Sequence, residues 1–160
     1  VCQTAKGNSC MLITAKGQSI RFKENDIREM GRTAGGVRAM KLGKGDRIVG
    51  AHTVNKDMEK DASILTVGAN GYGKKTPLKE YKIQNRGGSG IKTSSVTAKT
   101  GEIMSSQIVV GSEAEVVAMS KKSQVIRLEL SEIPSLGRST QGVRIMKLRE
   151  GDSLASLICL

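Results

Sequence analysis

Lysine and arginine residues recur at matching places along this chain, and their chemistry is that of a phosphate-binding surface. Guanidinium and ammonium groups donate charge-assisted hydrogen bonds to phosphate oxygens. One recurring cation would fit a solvated or salt-bridged surface residue equally well, because a repeat copies every position. Three positions that recur together favour a ladder of phosphate contacts. The three sets are Arg21, Lys75 and Arg127; Arg32, Arg86 and Arg138; and Arg38, Lys92 and Arg144, with Lys41, Lys74 and Lys147 as further candidates.

The overall charge and the scarcity of aromatic residues favour double-stranded DNA as the partner. Lys and Arg number 26 against 15 Asp and Glu, which leaves a formal net charge of +11. A basic surface also attracts anionic membranes and acidic proteins. Proteins that bind single strands or RNA stack the bases on aromatic side chains, and this chain has only Phe22, Tyr72 and Tyr81. Many cations with little stacking surface fit the backbone of a duplex.

The residues that could catalyse a reaction do not combine into a recognisable site. His52 is the one histidine, and we interpret it as a solvated residue. Cys2, Cys10 and Cys159 show no CxxC pairing, which predicts reduced thiols of a cytoplasmic protein and no structural zinc site. No apolar run approaches the roughly 18 residues of a membrane span. We therefore predict a non-catalytic chain that binds no metal and meets no membrane.

Residues 68–75, GANGYGKK, nearly spell a phosphate-binding P-loop. The hydroxyl that should hold Mg²⁺ is replaced by Lys75, and Pro77 falls where the following helix should begin. The segment aligns with a hairpin turn of the repeat described below, so we interpret it as a longer turn and keep nucleotide binding as an alternative.

Tyr72 and Tyr81 lack an adjacent base or acidic cluster, and we interpret them as packing or DNA-facing side chains.

The cations belong to a sequence that occurs three times. Residues 31–46 read GRTAGGVRAMKLGKGD, and residues 137–152 read GRSTQGVRIMKLREGD. Residues 85–93, NRGGSGIKT, form a shortened copy between them. Copies about 53 residues apart predict one structural unit used three times. Since the sequence begins at Val1, we expect a piece of a longer chain, in which residues 1–8 end a preceding blade. The predicted units cover residues 9–61, 62–114 and 115–160.

Each unit is predicted to contain four short strands. Two aliphatic or β-branched runs joined by a Gly or polar turn predict a hairpin. Within the repeated sequence, at residues 37–42 and 143–148, apolar residues alternate with Arg38 or Arg144. This alternation has the two-residue period of a half-buried strand. A Gly-Asp turn and a fourth run follow. The predicted third and fourth strands cover residues 37–42 and 47–50 in the first unit and residues 143–148 and 153–155 in the last. Four strands in about 50 residues indicate an all-β, propeller-like blade.

At these residues the chain resembles the C-terminal domain of the A subunit of bacterial DNA gyrase and, secondarily, the corresponding domain of topoisomerase IV. The matching text is LITAKGQSIRF, DIREMGRTAGGVRAMKLGKGDRIVG, ANGYGKKTPLKEYKIQNRGGSGIKT and GRSTQGVRIMKLREGD, and it covers nearly all of residues 9–155. The resemblance implies a β-pinwheel of six blades, of which these three look like the last, with duplex DNA bent around a basic rim.

The resemblance also implies which functions belong to this domain and which belong to other parts of the enzyme. The domain binds and wraps DNA without catalysis, so that an ATP-dependent type II topoisomerase introduces negative supercoils. ATP and Mg²⁺ are used by other parts of the enzyme, and we expect no cofactor in this segment. The implied partners are double-stranded DNA and the rest of the gyrase, which comprises the remainder of its A chain together with its B chain. The implied location is the bacterial cytoplasm, in association with the nucleoid.

One loop departs from the pattern of the family. The gyrase family carries a box, Q-R/K-R-G-G-K/R-G, that is needed for wrapping and lies in its first blade. Here Asn85 and Ser89 replace two of its cations, in what looks like the fifth blade. We interpret the loop as a degenerate repeat copy and expect DNA binding without supercoil-directed wrapping. The box residues that remain are Gln84, Arg86, Gly87, Gly88 and Gly90.

Two further questions stay open at this point. A protein- or RNA-binding propeller would present an exposed apolar or aromatic patch, for which three aromatic residues supply little. A half-ring also leaves two open sheet flanks. Either the three blades form an open arc, or two copies associate to approximate a ring of six.

Overall fold

The computed structural model describes residues 2–111 and 115–160, and this part of the chain is an all-β protein. The predicted fold class is confirmed. The short helices are 3-10 turns of three residues: Glu24–Asp26, Asp57–Glu59, Leu78–Glu80 and Leu130–Glu132. The strands are β1 Ser9–Thr14, β2 Gln18–Lys23, β3 Ile48–Val54, β4 Ala62–Gly68, β5 Tyr72–Pro77, β6 Ile91–Lys92, β7 Ile103–Val110, β8 Glu115–Ser120, β9 Val125–Glu129, β10 Val143–Arg144 and β11 Leu154–Cys159. None of the described helices could cross a membrane.

The strands form three antiparallel sheets, one for each blade. The strand orders are β3-β1-β2-β6 in the first, β10-β5-β4-β7 in the second and β11-β8-β9 in the third. Each is built on a hairpin, as the sequence predicts: β1–β2, β4–β5 and β8–β9. The hairpin turns hold one residue in the left-handed region, with φ of +83° at Gly17, +77° at Gly71 and +63° at Ser123. The segment resembling a P-loop is such a turn, followed by strand β5 rather than by a helix.

The sheets do not follow the boundaries of the repeat. Strand β6 belongs to the second unit but pairs with β2 of the first blade. Strand β10 belongs to the third unit but pairs with β5 of the second blade. Each unit therefore contributes one short strand to the sheet before it. We call these short strands the exchanged strands, and we call the contact between two successive blades a junction.

The prediction of a third strand within each unit was wrong. Residues 37–42 form no strand, and within residues 143–148 only Val143–Arg144 does so, in the sheet of the preceding unit. In the first unit the alternation marked the buried face, since Val37 and Ala39 are half-buried and Arg38 is exposed. In β10 it did not, because Val143 and Arg144 are both exposed. A period of two gives the buried face of a strand but not its partner. The predicted fourth strands are confirmed as β3 and β11.

The hydrophobic cores lie within and between the blades. One cluster joins the second and third blades through Leu65, Val116 and Met146. Another joins the first and second blades through Met11, Ile64 and Tyr81. Each large apolar side chain that is fully buried stabilises the fold by roughly 1.5–3 kcal/mol relative to its exposure. Because both clusters draw residues from two units, neighbouring blades stabilise one another.

Candidate nucleic-acid interface

The first set of recurring cations is divided between the interior and the surface. Arg21 is buried, with Nε 2.9 Å from Ser9 Oγ and Nη1 3.2 Å from the carbonyl oxygen of Tyr81, and it forms an ion pair with Glu59. Arg127, at the same place in the third unit, keeps 66% of its side chain exposed and pairs with Glu115. Arg21 stabilises the first blade, so we leave it out of the proposed interface.

Lys74 is buried inside the junction between the second and third blades. Its ammonium group donates to the carbonyl oxygens of Gly137 at 2.6 Å and Arg138 at 2.9 Å, and to Thr140 Oγ1 at 3.0 Å. Burial lowers the pKa of Lys74 to about 8. Its neighbour Lys75 donates to the carbonyl oxygen of Leu130 at 2.7 Å, and burial lowers its pKa as well. Both lysines hold the protein's own carbonyl groups, so neither remains in the proposed interface.

The buried charge of Lys74 predicts a pH dependence of stability. The pKa of this lysine is about 8 in the folded protein against 10.5 for the ordinary group. Below pH 8 the folded state carries the full cost of burying the ammonium, and this cost is relieved as the pH rises towards 10.5. We therefore expect the free energy of unfolding to rise above pH 8 in the wild type relative to Lys74→Met. Urea denaturation of both proteins at successive pH values measures this difference.

The apolar substitution follows the repeat itself, since isoleucine occupies the same place at residues 20 and 126. Below pH 8 we expect Lys74→Met to lower stability by about 1–3 kcal/mol, because three oxygen acceptors lose their donor. Parallel pH profiles for the two proteins would show that Lys74 does not titrate in this range.

Two cations of the second set, Arg86 and Arg138, act as struts across the junctions. Arg86 Nη1 donates to the carbonyl oxygen of Arg38, and Nε donates to that of Asp26 at 3.2 Å. Arg138 Nη1 donates to the carbonyl oxygen of Lys92 at 2.9 Å. The two contacts are equivalent, because each arginine reaches the third-set cation of the preceding unit. Arg32, the first member of this set, is exposed.

The box-like loop is also part of a junction. The backbone N–H of Gln84 donates to the Arg21 carbonyl oxygen at 2.7 Å, and that of Gly87 donates to the Ala39 carbonyl oxygen at 2.8 Å. The carbonyl oxygen of Gly88 accepts from the N–H of Lys41 at 2.9 Å. These groups join the first two blades, so the N–H of Gly87 is not free to bind a phosphate. Gly90, the last glycine of the loop, packs against the backbone of β2.

The third set is the one that the fold presents to solvent. Arg38, Lys92 and Arg144 are all exposed, as are Lys41 and Lys147. Lys92 and Arg144 lie on the exchanged strands, where Lys92 pairs with Gln18 and Arg144 pairs with Tyr72. Gln18 and Tyr72 are equivalent positions, each directly after a hairpin turn. The fold thus places an exposed cation beside the turn at each of the two junctions.

Further cations, which are not members of the three recurring sets, lie at the same ends of the hairpins. A depression of about 260 Å³ is lined by Tyr72, Arg144, Lys147 and Arg149. Lys99 Nζ lies 5.3 Å from the centre of the half-exposed Tyr72 ring. At the first hairpin, Lys16 Nζ donates to the carbonyl oxygen of Lys44 at 2.6 Å. We call the exposed cations at these ends the turn-end cations: Lys16, Lys41, Lys44, Lys92, Lys99, Lys122, Arg144, Lys147 and Arg149.

Some of these additional cations left a signal in the sequence. Lys16 and Lys122 occupy the same place in the hairpin turns of the first and third units, and this recurrence could have identified them. Lys44 and Lys99 likewise lie four residues before the equivalent Ile48 and Ile103, but only the fold shows that Lys99 lies beside Tyr72.

His52 and Tyr81 both lie away from the turn-end face. The interpretation of His52 as a solvated residue was wrong, because it lies in β3, half-buried, with Nε2 2.9 Å from Ser106 Oγ of the second blade. Burial lowers its pKa. Tyr81 is a packing residue, which is one of the two roles expected for it, with its hydroxyl group 2.6 Å from Thr93 Oγ1.

Comparisons of sequence find the same three units in known proteins. The profile of the family described as DNA gyrase C-terminal domain, beta-propeller, matches residues 8–55, 62–109 and 114–160. The DNA gyrase A chain of Staphylococcus epidermidis is 41% identical over 152 residues, which cover 94% of this chain and 17% of that protein. The DNA gyrase A chain of Staphylococcus aureus is 35% identical over 157 residues, or 96% of this chain and 17% of that protein. The chain therefore spans a small part of these relatives.

Comparisons of structure agree with this result. A solved DNA gyrase A C-terminal domain superposes with a TM-score of 0.84 at 26% identity, over 96% of this chain and 51% of that one. The C-terminal domain of DNA topoisomerase IV has the same fold, with a TM-score of 0.86 at 23% identity over 96% of this chain and 46% of that one. The match of the family profile to all three units, together with this fold, shows that the chain belongs to the DNA gyrase C-terminal domain, beta-propeller family.

Proposed function

We propose that this chain binds the backbone of double-stranded DNA through its turn-end cations and bends the duplex around successive blades. The observation that carries the proposal is the repeated placement of an exposed cation, Lys92 or Arg144, beside a hairpin turn at each junction. Positive charges that contact only phosphates do not contact base edges, so this surface does not distinguish DNA sequences. Its affinity is set by neutralised phosphates and by the ease with which the DNA bends.

The whole enzyme that this proposal implies is a DNA gyrase. The relatives at 35% and 41% identity are gyrase A chains, which favours a gyrase parent over topoisomerase IV. In such an enzyme this domain guides the DNA segment so that negative supercoils are introduced. The remainder of the A chain and the B chain supply DNA cleavage and ATP hydrolysis with Mg²⁺. The proposed location of the enzyme is the bacterial cytoplasm, in association with the nucleoid.

The box-like loop limits what the domain does by itself. Arg86 and the N–H of Gly87 are engaged in the first junction, and Asn85 and Ser89 carry no charge. This loop adds little to the attraction of phosphate. We therefore propose that these three blades bind DNA without fixing the handedness of the wrap.

The salt dependence of DNA binding tests the proposed surface. We expect the triple variant Lys92→Ala, Arg144→Ala and Lys147→Ala to reduce the slope of log K against log salt concentration by roughly 0.9 for each phosphate contact that is removed. A filter-binding titration with a duplex of fixed length at several salt concentrations measures the slope. RNA of the same length serves as competitor, since a propeller that prefers RNA would be displaced by it.

The chain offers a control of equal charge. Lys56, Lys60 and Lys79 are exposed, and they lie at the opposite ends of the blades. Lys56 and Lys60 flank the 3-10 turn Asp57–Glu59, and Lys79 lies within the turn Leu78–Glu80. Their replacement by alanine changes the net charge by the same amount, so long-range attraction falls equally. We expect the slope to stay close to that of the wild type. Equal slopes for the two triple variants would show that net charge, and not the turn-end face, drives binding.

A further inference from the structure

Tyr72 is the only aromatic side chain of this protein that reaches solvent. Phe22 and Tyr81 are each 1% exposed, whereas Tyr72 is half-exposed at the start of β5. The equivalent positions of the first and third hairpins carry Gln18 and Gln124. The shared hairpin therefore folds without an aromatic ring at this place, and the ring is available for a role that belongs to the second hairpin alone.

Two cations flank the Tyr72 ring. Arg144 is its cross-strand neighbour in the pairing of β10 with β5, and such neighbours have Cβ atoms about 4.5–5.5 Å apart. Lys99 Nζ lies 5.3 Å from the centre of the ring, within the distance at which a cation is attracted to an aromatic face. Among the described residues, Thr93 Oγ1 holds the hydroxyl group of Tyr81 at 2.6 Å, and the hydroxyl group of Tyr72 has no hydrogen-bond partner. The Tyr72 hydroxyl group can therefore donate to a ligand.

The first two hairpins have the same number of turn-end cations around them. Those at the first hairpin are Lys16, Lys41, Lys44 and Lys92. Those at the second hairpin are Lys99, Arg144, Lys147 and Arg149. None of the second group pairs with a carboxylate in the part of the chain that the structure describes. Since the cations are equal in number, the exposed ring of Tyr72 is what distinguishes the second hairpin from the first.

The depression of about 260 Å³ beside Tyr72 also has a carboxylate in its wall, that of Asp152. The third hairpin uses both oxygens of this group. Oδ1 accepts from the N–H groups of Lys122 and Ser153, and Oδ2 accepts from Ser120 Oγ at 2.5 Å. Three exposed cations line the same depression, so the charges around the ring attract anions.

We infer that Tyr72 contacts the sugar-phosphate backbone of the bound duplex, with its hydroxyl group donating to a phosphate oxygen and its ring packing against the neighbouring deoxyribose. The inference rests on the proposed function, since it names the place at which the turn-end surface holds the duplex most firmly. A phosphate that Arg144 and Lys99 attract is drawn to the hydroxyl group between them. Tyrosine hydroxyl groups are among the donors that bind DNA phosphates, and such contacts carry no base specificity.

The contact of Tyr72 differs from those of the cations in its response to salt. A cation that neutralises a phosphate releases a condensed counterion, so its loss reduces the slope of log K against log salt concentration. A neutral side chain releases none. The loss of Tyr72 should therefore weaken binding by the same factor at every salt concentration.

Filter binding of two Tyr72 variants to duplex DNA tests the inference. Tyr72→Gln installs the residue of the other two hairpins and keeps every charge. We expect it to weaken binding roughly tenfold, with the slope of the wild type. Tyr72→Phe keeps the ring and should weaken binding about threefold, because only the hydrogen bond to phosphate is lost. The matched control is Gln18→Ala at the first hairpin, for which we expect the affinity of the wild type.

Fluorine NMR observes the contact directly. The chain has two tyrosines, so protein labelled with 3-fluorotyrosine gives two signals, and the one that Tyr72→Phe lacks belongs to Tyr72. Addition of the duplex should shift this signal and leave that of the buried Tyr81 in place. Urea denaturation of each variant verifies that it is folded.

Each other outcome overturns the inference. Wild-type affinity in Tyr72→Gln or Tyr72→Phe would show that the tyrosine only packs against the protein. Weaker binding with a reduced slope would show that the ring acts by positioning a cation. An equal loss in Gln18→Ala would mean that the second hairpin holds the duplex no more firmly than the first. The proposed function fails separately, when the triple variant of the turn-end cations keeps the slope of the wild type.

Discussion

Gly90→Val is expected to separate the first two blades and to lower the free energy of unfolding by about 4 kcal/mol or more. Two costs add together. A β-branched residue is strained at the φ of +77° that this position requires. Its Cβ would also stand 2.2 Å from the backbone oxygen of Ser19, which belongs to a strand and cannot move without breaking the pairing of β2 with β6. Urea denaturation measures the loss.

The repeat supplies a control for the strain alone. Gly36 occupies the same place in the first unit, with the same φ of +77° and nothing within 4 Å of a Cβ. Gly36→Val should therefore cost only the strain, about 1–2 kcal/mol. The difference between the variants measures the steric contact in the junction. Equal losses would mean that the backbone of β2 gives way freely.

Arg21→Met is expected to lower the free energy of unfolding by about 3 kcal/mol, the second largest effect that the structure predicts. The substitution removes the donor to Ser9 Oγ and to the Tyr81 carbonyl oxygen, and it breaks the pair with Glu59. The side chain of Arg21 is 6% exposed, so water does not replace these hydrogen bonds.

Arg127→Met is the matched change at the surface. Arg127 stands at the equivalent place with 66% of its side chain exposed, and it pairs with Glu115. A solvent-exposed pair contributes about 0–1 kcal/mol. Thermal or urea denaturation should therefore detect little change in this variant. If the two substitutions cost the same, the recurring cation would have the same role in both blades, against what the contacts of Arg21 show.

The sequence predicted the fold better than it predicted the site. The hairpins could be predicted from aliphatic runs on either side of a turn, and the repeat showed that one hairpin unit occurs three times. The exchange of strands could not be predicted, because the alternation around Arg38 and Arg144 is the same whichever sheet a strand joins. Recurrence also could not separate a buried cation from an exposed one. Arg21 and Arg127 share a place in the repeat, but the acidic partner of each comes from a different part of its unit.

Because strands are exchanged between units, the blades complete their sheets in a fixed order as the chain leaves the ribosome. The first blade cannot complete its sheet until residues 91–92 have emerged from the exit tunnel, and the second waits for residues 143–144. Each nascent blade therefore exposes an unfinished edge while about 35 more residues are translated, from Val54 to Ile91 in the first blade and from Val110 to Val143 in the second. A pause in synthesis within either interval would leave that strand edge free to pair with a non-native strand.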